Sequence, residues 1–109
     1  MNAYFRPALA ALFLVILAVS PTWAHSVSIF AYVDNQRIYT ESYFSTGQPV
    51  REGRVLVFDG ARDRLLEGKT DAEGLFDFAI PKIDDLSIVI EAGLGHKAVF
   101  VLDKSDLQE

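Results

Sequence analysis

The chain has 109 residues, enough for one domain, and a formal net charge of −5. It contains no cysteine, so disulfides, cysteine metal sites and thiol chemistry are excluded. An acidic protein repels the phosphate backbone of nucleic acids, and no cluster of Lys and Arg offers a local exception. We therefore expect no nucleic-acid partner.

The first 24 residues have the three-part pattern of a secretory signal peptide. Arg6 is their one charged residue, an apolar run follows, and Thr22 and Ala24 form a small-residue cleavage site. The alternative is a retained membrane anchor, but the apolar run 8–19 is shorter than the roughly 20 residues that a spanning helix needs. Pro21 also breaks a helix just before the cleavage site. We expect a cleaved signal peptide over 1–24, export to the periplasm or the cell-envelope exterior, and a mature chain without a membrane span.

From His25 onwards the sequence consists of short alternating runs separated by turn residues, which is typical of an all-β domain. The number and spacing of these runs predict a single seven-stranded antiparallel Greek-key sandwich. The domain is expected to span 25–102, and 103–109 is a charged C-terminal tail. The predicted strands are 26–33, 37–44, 54–59, 65–70, 76–80, 87–92 and 97–102.

Two local patterns make more specific predictions. Gly74 closes a tight turn and is expected to have a positive φ, and Phe78 alternates with apolar residues on a strand that should bury it between the sheets. Tyr32, Tyr39, Tyr43 and Phe44 form an aromatic group on the first hairpin, and alternation places Tyr39 and Tyr43 on one face of the second strand, opposite Phe44. Core packing is the default for such residues, but one side could form an exposed aromatic surface for a partner.

Segments 47–59 and 68–78 resemble the carboxypeptidase regulatory-like domain, a transthyretin-like (prealbumin-like) β-sandwich. The shared pattern is a turn and strand start at Gly47-Gln48-Pro49-Val50, followed by the Thr70-Asp71-x-x-Gly74 turn. The resemblance implies the fold. It says little about function, because this kind of fold hosts many roles.

A narrower resemblance covers essentially the whole mature chain. Three segments carry it: His25-x-Val27-x-Ile29-Phe30-Ala31-Tyr32-Val33, Gly53-Arg54-Val55-x-Val57 and Ala92-Gly93-Leu94-Gly95-His96-Lys97-Ala98. These resemble the small exported subunits of nickel/cobalt energy-coupling-factor transporters, the NikL type, which have a His directly after the cleavage site and a Gly-x-Gly-His near the end. Leu94 stands where Met is expected, and Gln36-Arg37-Ile38 replaces a Gly-rich turn and Val. Neither departure touches an implied metal ligand.

His25 and His96 are the only two histidines. An N-terminal His25 could chelate one metal ion through its α-amine and imidazole, and His96 could supply a third nitrogen. Such a donor set suits Ni(II), Cu(II) or Co(II) better than Mg(II) or Ca(II). In the alternative interpretation, His25 is a solvated chain end and the His96 imidazole bonds a carbonyl group within its turn. A shared site requires that the first and last strands run in the same direction.

The leading hypothesis is therefore an exported accessory protein of a nickel or cobalt uptake transporter, with a membrane subunit of that transporter as its partner. Two alternatives remain: a metal-free β-sandwich interaction module and a periplasmic copper-binding chaperone. We do not expect an enzyme, since the sequence has no Gly-x-Ser-x-Gly nucleophile motif, no cysteine and no glycine-rich cofactor loop.

Overall fold

The computed structural model describes residues 26–108, which form seven strands and one short 3-10 helix. His25, Glu109 and the predicted signal peptide over 1–24 lie outside the described residues. All seven predicted strands are confirmed, each to within one residue. The strands are β1 (Val27–Asp34), β2 (Arg37–Phe44), β3 (Arg54–Phe58), β4 (Arg64–Lys69), β5 (Leu75–Ala79), β6 (Leu86–Glu91) and β7 (Lys97–Leu102).

The strands form two antiparallel sheets, one in the order β1-β2-β5 and the other in the order β4-β3-β6-β7. β1 and β2 are joined by a two-residue turn, Asn35 and Gln36, in which both residues have positive φ. Positive φ at both positions matches the right-handed twist of the flanking strands. The edge strands β1 and β7 lie beside each other and close one side of the molecule.

The core lies between the two sheets and is built from alternate residues of each strand. Fully buried members are Ile38, Val55, Val57, Leu86, Ile88 and Ile90. The alternation predicted for β1 is confirmed, with Ile29 buried and Phe30 exposed. In β3 the pattern is incomplete, because Leu56 faces away from the core and is still buried. Its neighbours across the strands are Glu67 and Val89, so the central position of β3 in the sheet covers it.

The chain passes between the sheets at three crossings, before β3, after β4 and after β5. Thr70 holds the first two crossings together. The Thr70 hydroxyl donates to the Val50 carbonyl and accepts a hydrogen bond from the Gly53 amide at 2.8 Å. Gly53 must lack a side chain here, because a Cβ would stand 2.5 Å from Val50 Cγ1. The positive φ predicted at Gly74, the end of the second crossing, is confirmed at +79°.

The end of the sandwich opposite Thr70 is closed by the buried carboxylate of Asp59 and by Leu107, a residue near the C-terminus. Asp59, only 5% exposed, accepts hydrogen bonds from the Ala61 and Asp63 amides and from Lys82 Nζ at 2.9 Å. Beyond β7, the 3-10 helix Lys104–Leu107 places Leu107 in the core. Within residues 26–108, no helix is long and apolar enough to cross a membrane.

Replacing Phe78 should test the assignment of the core face. Phe78 is 7% exposed and packs with Phe76 at a ring-centroid distance of 5.7 Å. Phe78→Ala should lower the free energy of unfolding by about 3–5 kcal/mol, because it leaves a cavity in a small core. The control Phe30→Ala, at a position that is 57% exposed, should change it far less. Urea unfolding measures both variants, and equal effects would show that the faces are assigned the wrong way round.

The Asp59 carboxylate should make the free energy of unfolding depend on pH. The hydrogen bond from Lys82, followed by that from the Asp63 amide, lowers the pKa of Asp59 below its ordinary value. A lowered folded-state pKa stabilises the fold above the unfolded pKa of about 3.9, and this contribution is lost as the pH falls through the folded value. Asp59→Asn should therefore be less stable than the wild type at pH 7, by a margin that shrinks towards pH 2.

Urea midpoints measured at several pH values give this margin directly. Asp34→Asn, which changes an exposed carboxylate on the first hairpin, is the matched control and should show no such trend. A margin for Asp59→Asn that stays constant from pH 7 to pH 2 would contradict the assigned role of the ion pair.

Candidate metal-binding pole

His96 lies at the end of the turn between β6 and β7. The turn is closed by two backbone hydrogen bonds of 2.9 Å, from the Ala92 amide to the His96 carbonyl and from the His96 amide to the Gly93 carbonyl. Gly93, Leu94 and Gly95 all have positive φ. This conformation explains the two glycines, whereas Leu94 takes it at a cost of about 1–2 kcal/mol.

The His96 side chain is half-buried against Phe44, the last residue of β2. The two ring centroids are 6.4 Å apart, and the planes meet at 82°, an edge contact. Within residues 26–108, the imidazole nitrogens form no hydrogen bond, so the carbonyl contact expected in the alternative interpretation is not found there. Among the described residues, the ring is therefore positioned by its apolar contact with Phe44 and not by a hydrogen bond.

The start of β1 lies at the same end of the sandwich. Ser26, the residue after His25, accepts a hydrogen bond of 2.8 Å from the Ser45 amide through its carbonyl, and Val27 pairs with Phe44. At the far end, the last residues of β1 and β7, including Val33 and Leu102, line one groove. The first and last strands therefore run in the same direction, which is the condition for a shared site.

We call this end the His96 pole; it comprises Ser26, Phe44, Ser45 and the turn 92–96. His25 lies outside the described residues, so its meeting with His96 stays a prediction. Among residues 26–108, no three side chains of His, Asp or Glu are grouped closely enough to hold a metal ion. The nearby carboxylate of Glu91 is bound by Arg54 at 3.1 Å and Lys97 at 3.5 Å.

The tip of the turn exposes an apolar side chain that the sequence analysis did not single out as functional. Leu94 is 98% exposed, and a Cβ placed on Gly93 or Gly95 would have no atom within 4 Å. The turn thus projects freely from the His96 pole with a leucine at its tip. The sequence contains a hint of this feature, since Leu94 is an aliphatic residue between two glycines. The exposure of Leu94 depends on the left-handed backbone of the whole turn.

The structure also confirms the faces of β2 on which the sequence places its aromatic residues. Phe44 points into the sandwich and packs against the core, while Tyr39 and Tyr43 lie on the outer face of the same strand. Tyr32, predicted to belong to the same aromatic group, stacks its ring on that of Tyr39 with centroids 5.5 Å apart.

An uncharacterized protein of Haemophilus influenzae (strain ATCC 51907 / DSM 11121 / KW20 / Rd) is 37% identical to this chain over 82 residues. The match covers 72% of this chain and 51% of the relative, so the chain spans about half the length of the curated relative it matches. No family model matches the chain, and no solved structure matches it. The architecture defines the class of protein, an all-β sandwich of one three-stranded and one four-stranded antiparallel sheet.

Proposed function

We propose that the protein is an exported accessory component of a nickel or cobalt uptake transporter. It binds the metal ion as cargo through His25 and His96 at the His96 pole, after removal of a signal peptide over 1–24. It then passes the ion to, or docks on, a membrane subunit. Its role is binding rather than catalysis. The resemblance to NikL-type subunits supports the transport role. We further propose that the sandwich has the Greek-key, transthyretin-like topology that its resemblance to the carboxypeptidase regulatory-like domain implies.

The observation that carries the metal proposal is the common location of Ser26 and His96. Phe44 pairs with Val27 in the sheet and contacts the His96 ring, so one residue links the start of β1 to the imidazole. His25 directly precedes Ser26, so its free amine and its imidazole have to extend by only one residue from Ser26 to reach this pole. Two independent parts of the chain thereby supply nitrogen donors to one end of the fold.

The chemistry of these donors favours transition metals. An α-amine and an imidazole on the same residue form a chelate, and both lose a proton near neutral pH, so a metal ion can displace those protons. A second imidazole adds a third nitrogen and leaves other positions open for water or for ligands from a partner. Nitrogen-rich, incomplete coordination suits Ni(II), Co(II) and Cu(II), and it suits a carrier that must release its cargo.

The exposed turn provides a means of docking. Leu94 stands two residues before His96 and is almost completely exposed, so it can enter an apolar pocket of the membrane subunit while the metal site faces the same partner. Contact and transfer would then occur at one end of the molecule.

A metal-free interaction module is the second candidate. The aromatic outer face of the first sheet, where Phe30 and Tyr32 are 57% and 49% exposed, favours it. A copper chaperone would use the same nitrogen donors, since Cu(II) binds such sites more tightly than Ni(II) or Co(II). Metal titration of defined variants separates a metal-binding protein from the metal-free module.

Calorimetric titration should find one site for Ni(II), Co(II) or Cu(II) in protein that begins at His25, with Cu(II) bound most tightly. Adding one residue before His25 should weaken binding strongly, because it replaces the amine of the chelate with an amide. His96→Ala should weaken binding less, because the two-nitrogen chelate is intact. Acid should release the metal as the nitrogens take up protons.

Leu94→Ser is the matched control in the same turn and should bind as the unmodified protein does, because the leucine side chain has no donor atom. If the extended variant binds as tightly as the protein that begins at His25, the terminal chelate is wrong and the interaction module is favoured. If His96→Ala alone has no effect, the site is at His25 only and the turn has a structural role.

A further inference from the structure

The outer face of the sheet β1-β2-β5 is an aromatic surface that no other part of the described chain covers. We call it the aromatic face; its apolar members are Phe30, Tyr32, Tyr39, Tyr43 and Leu75. The strand register places them side by side, with Phe30 opposite Glu41 and Glu41 opposite Leu75. In the adjacent row, Tyr32 lies opposite Tyr39 and Tyr39 opposite Asp77. Each row therefore contains one carboxylate directly beside an aromatic ring.

A shallow cleft of about 380 Å³ lies in the middle of this face. Its walls include the stacked rings of Tyr32 and Tyr39, and its charged members are Glu41, Asp71 and Asp77. Of these three carboxylates, Asp77 is paired with Arg37 at 2.7 Å. The cleft thus combines aromatic surface with an excess of negative charge.

The other two carboxylates are held in place by one oxygen each. Glu41 Oε1 accepts a hydrogen bond of 2.9 Å from the Tyr43 hydroxyl, and Asp71 Oδ1 accepts from the Glu73 and Leu75 amides. Within the described part of the chain, their second oxygens have no hydrogen-bond donor. The bond to Glu41 raises the pKa of Tyr43, with its negative charge adding to the effect. Both carboxylates are oriented before any ligand arrives.

The outer face of the second sheet has the opposite charge balance. Arg54 bridges Glu67 at 2.9 Å and Glu91 at 3.1 Å, and Arg64 and Lys97 pair with the same two carboxylates. Its acidic groups are therefore neutralised by basic neighbours on the same sheet. Of the two outer faces, the aromatic face is therefore the one with an excess of negative charge, and this favours a basic ligand.

We infer that the aromatic face binds a basic, arginine-containing segment of a partner protein. A guanidinium group has the charge that Glu41 and Asp71 leave uncompensated, it pairs with carboxylates through directed hydrogen bonds, and it stacks on aromatic rings. The apolar stem of the arginine packs on Leu75 and the tyrosine rings. A neutral oligosaccharide could also stack on the tyrosines, but it would leave the negative charge without a counter-ion.

The test uses protein purified from the cells that make it and the peptide acetyl-Gly-Arg-Gly-Arg-Gly-amide as the probe, with binding followed by NMR amide shifts. The shifts should map to β1, β2 and β5, and binding should weaken as salt is raised. A peptide with citrulline in place of arginine, equal in shape but uncharged, should bind at least fivefold more weakly.

Variants then assign the binding to named side chains. Loss of one exposed cation–π or charge contact corresponds to roughly two- to fivefold in affinity, so Tyr32→Ala and Glu41→Gln should each weaken peptide binding by about that factor. Val99→Ala, at an exposed position on the other sheet, is the matched control and should bind the peptide unchanged. The Glu41→Gln protein should melt as the wild type does, because glutamine still accepts the Tyr43 hydrogen bond.

Three results would overturn the inference. The citrulline peptide could bind as tightly as the arginine peptide, or Val99→Ala could weaken binding as much as Tyr32→Ala does. Maltohexaose could also shift the same amides while the arginine peptide does not, which would assign the face to oligosaccharides. None of these results bears on the metal proposal, because the variants leave both histidines in place.

Discussion

The fold depends on the buried hydroxyl of Thr70, which joins the first two of the three places where the chain leaves one sheet for the other. Thr70 is 2% exposed, and its oxygen both donates to Val50 and accepts from Gly53. Backbone bonds reinforce the junction, from the Thr70 amide to the Gly53 carbonyl at 2.9 Å and from the Glu52 amide to the Thr70 carbonyl at 3.1 Å. A buried polar group with both bonds formed fixes one geometry, whereas an unpaired one would destabilise the fold.

The same junction determines which chain segments meet at the His96 pole. It lies next to the end of β2, where the Ser42 carbonyl accepts from the Val50 amide at 3.0 Å. Two residues later, Phe44 reaches both the start of β1 and the ring of His96. The candidate metal ligand thus depends on a chain of contacts that begins in the core. In contrast, all residues that define the aromatic face belong to the first sheet. The His96 pole and the aromatic face therefore lie on different parts of the same domain.

Strand positions and faces could be predicted because alternation is a local property. Val55 and Val57 point inwards, Phe78 is buried and Gly74 has a positive φ, all as their neighbours in sequence indicate. Which strands and residues distant in sequence contact one another could not be predicted in this way. Leu56 is buried by strands distant in sequence, and the double role of Thr70 links residues 17 and 20 positions away. For the candidate site, the sequence identifies His96 as a donor, but its contact with Phe44 and the exposure of Leu94 arise from the tertiary fold.

A shared site at the His96 pole requires that one metal ion has two imidazole ligands, one from each end of the domain. Pulsed electron paramagnetic resonance of the protein that begins at His25, loaded with one equivalent of Cu(II), counts those imidazoles through the coupling of their remote nitrogens. Two coordinated imidazoles in the unmodified protein and one in His96→Ala are the predicted results. A single imidazole in both samples would contradict the shared site and leave His96 as part of the turn alone.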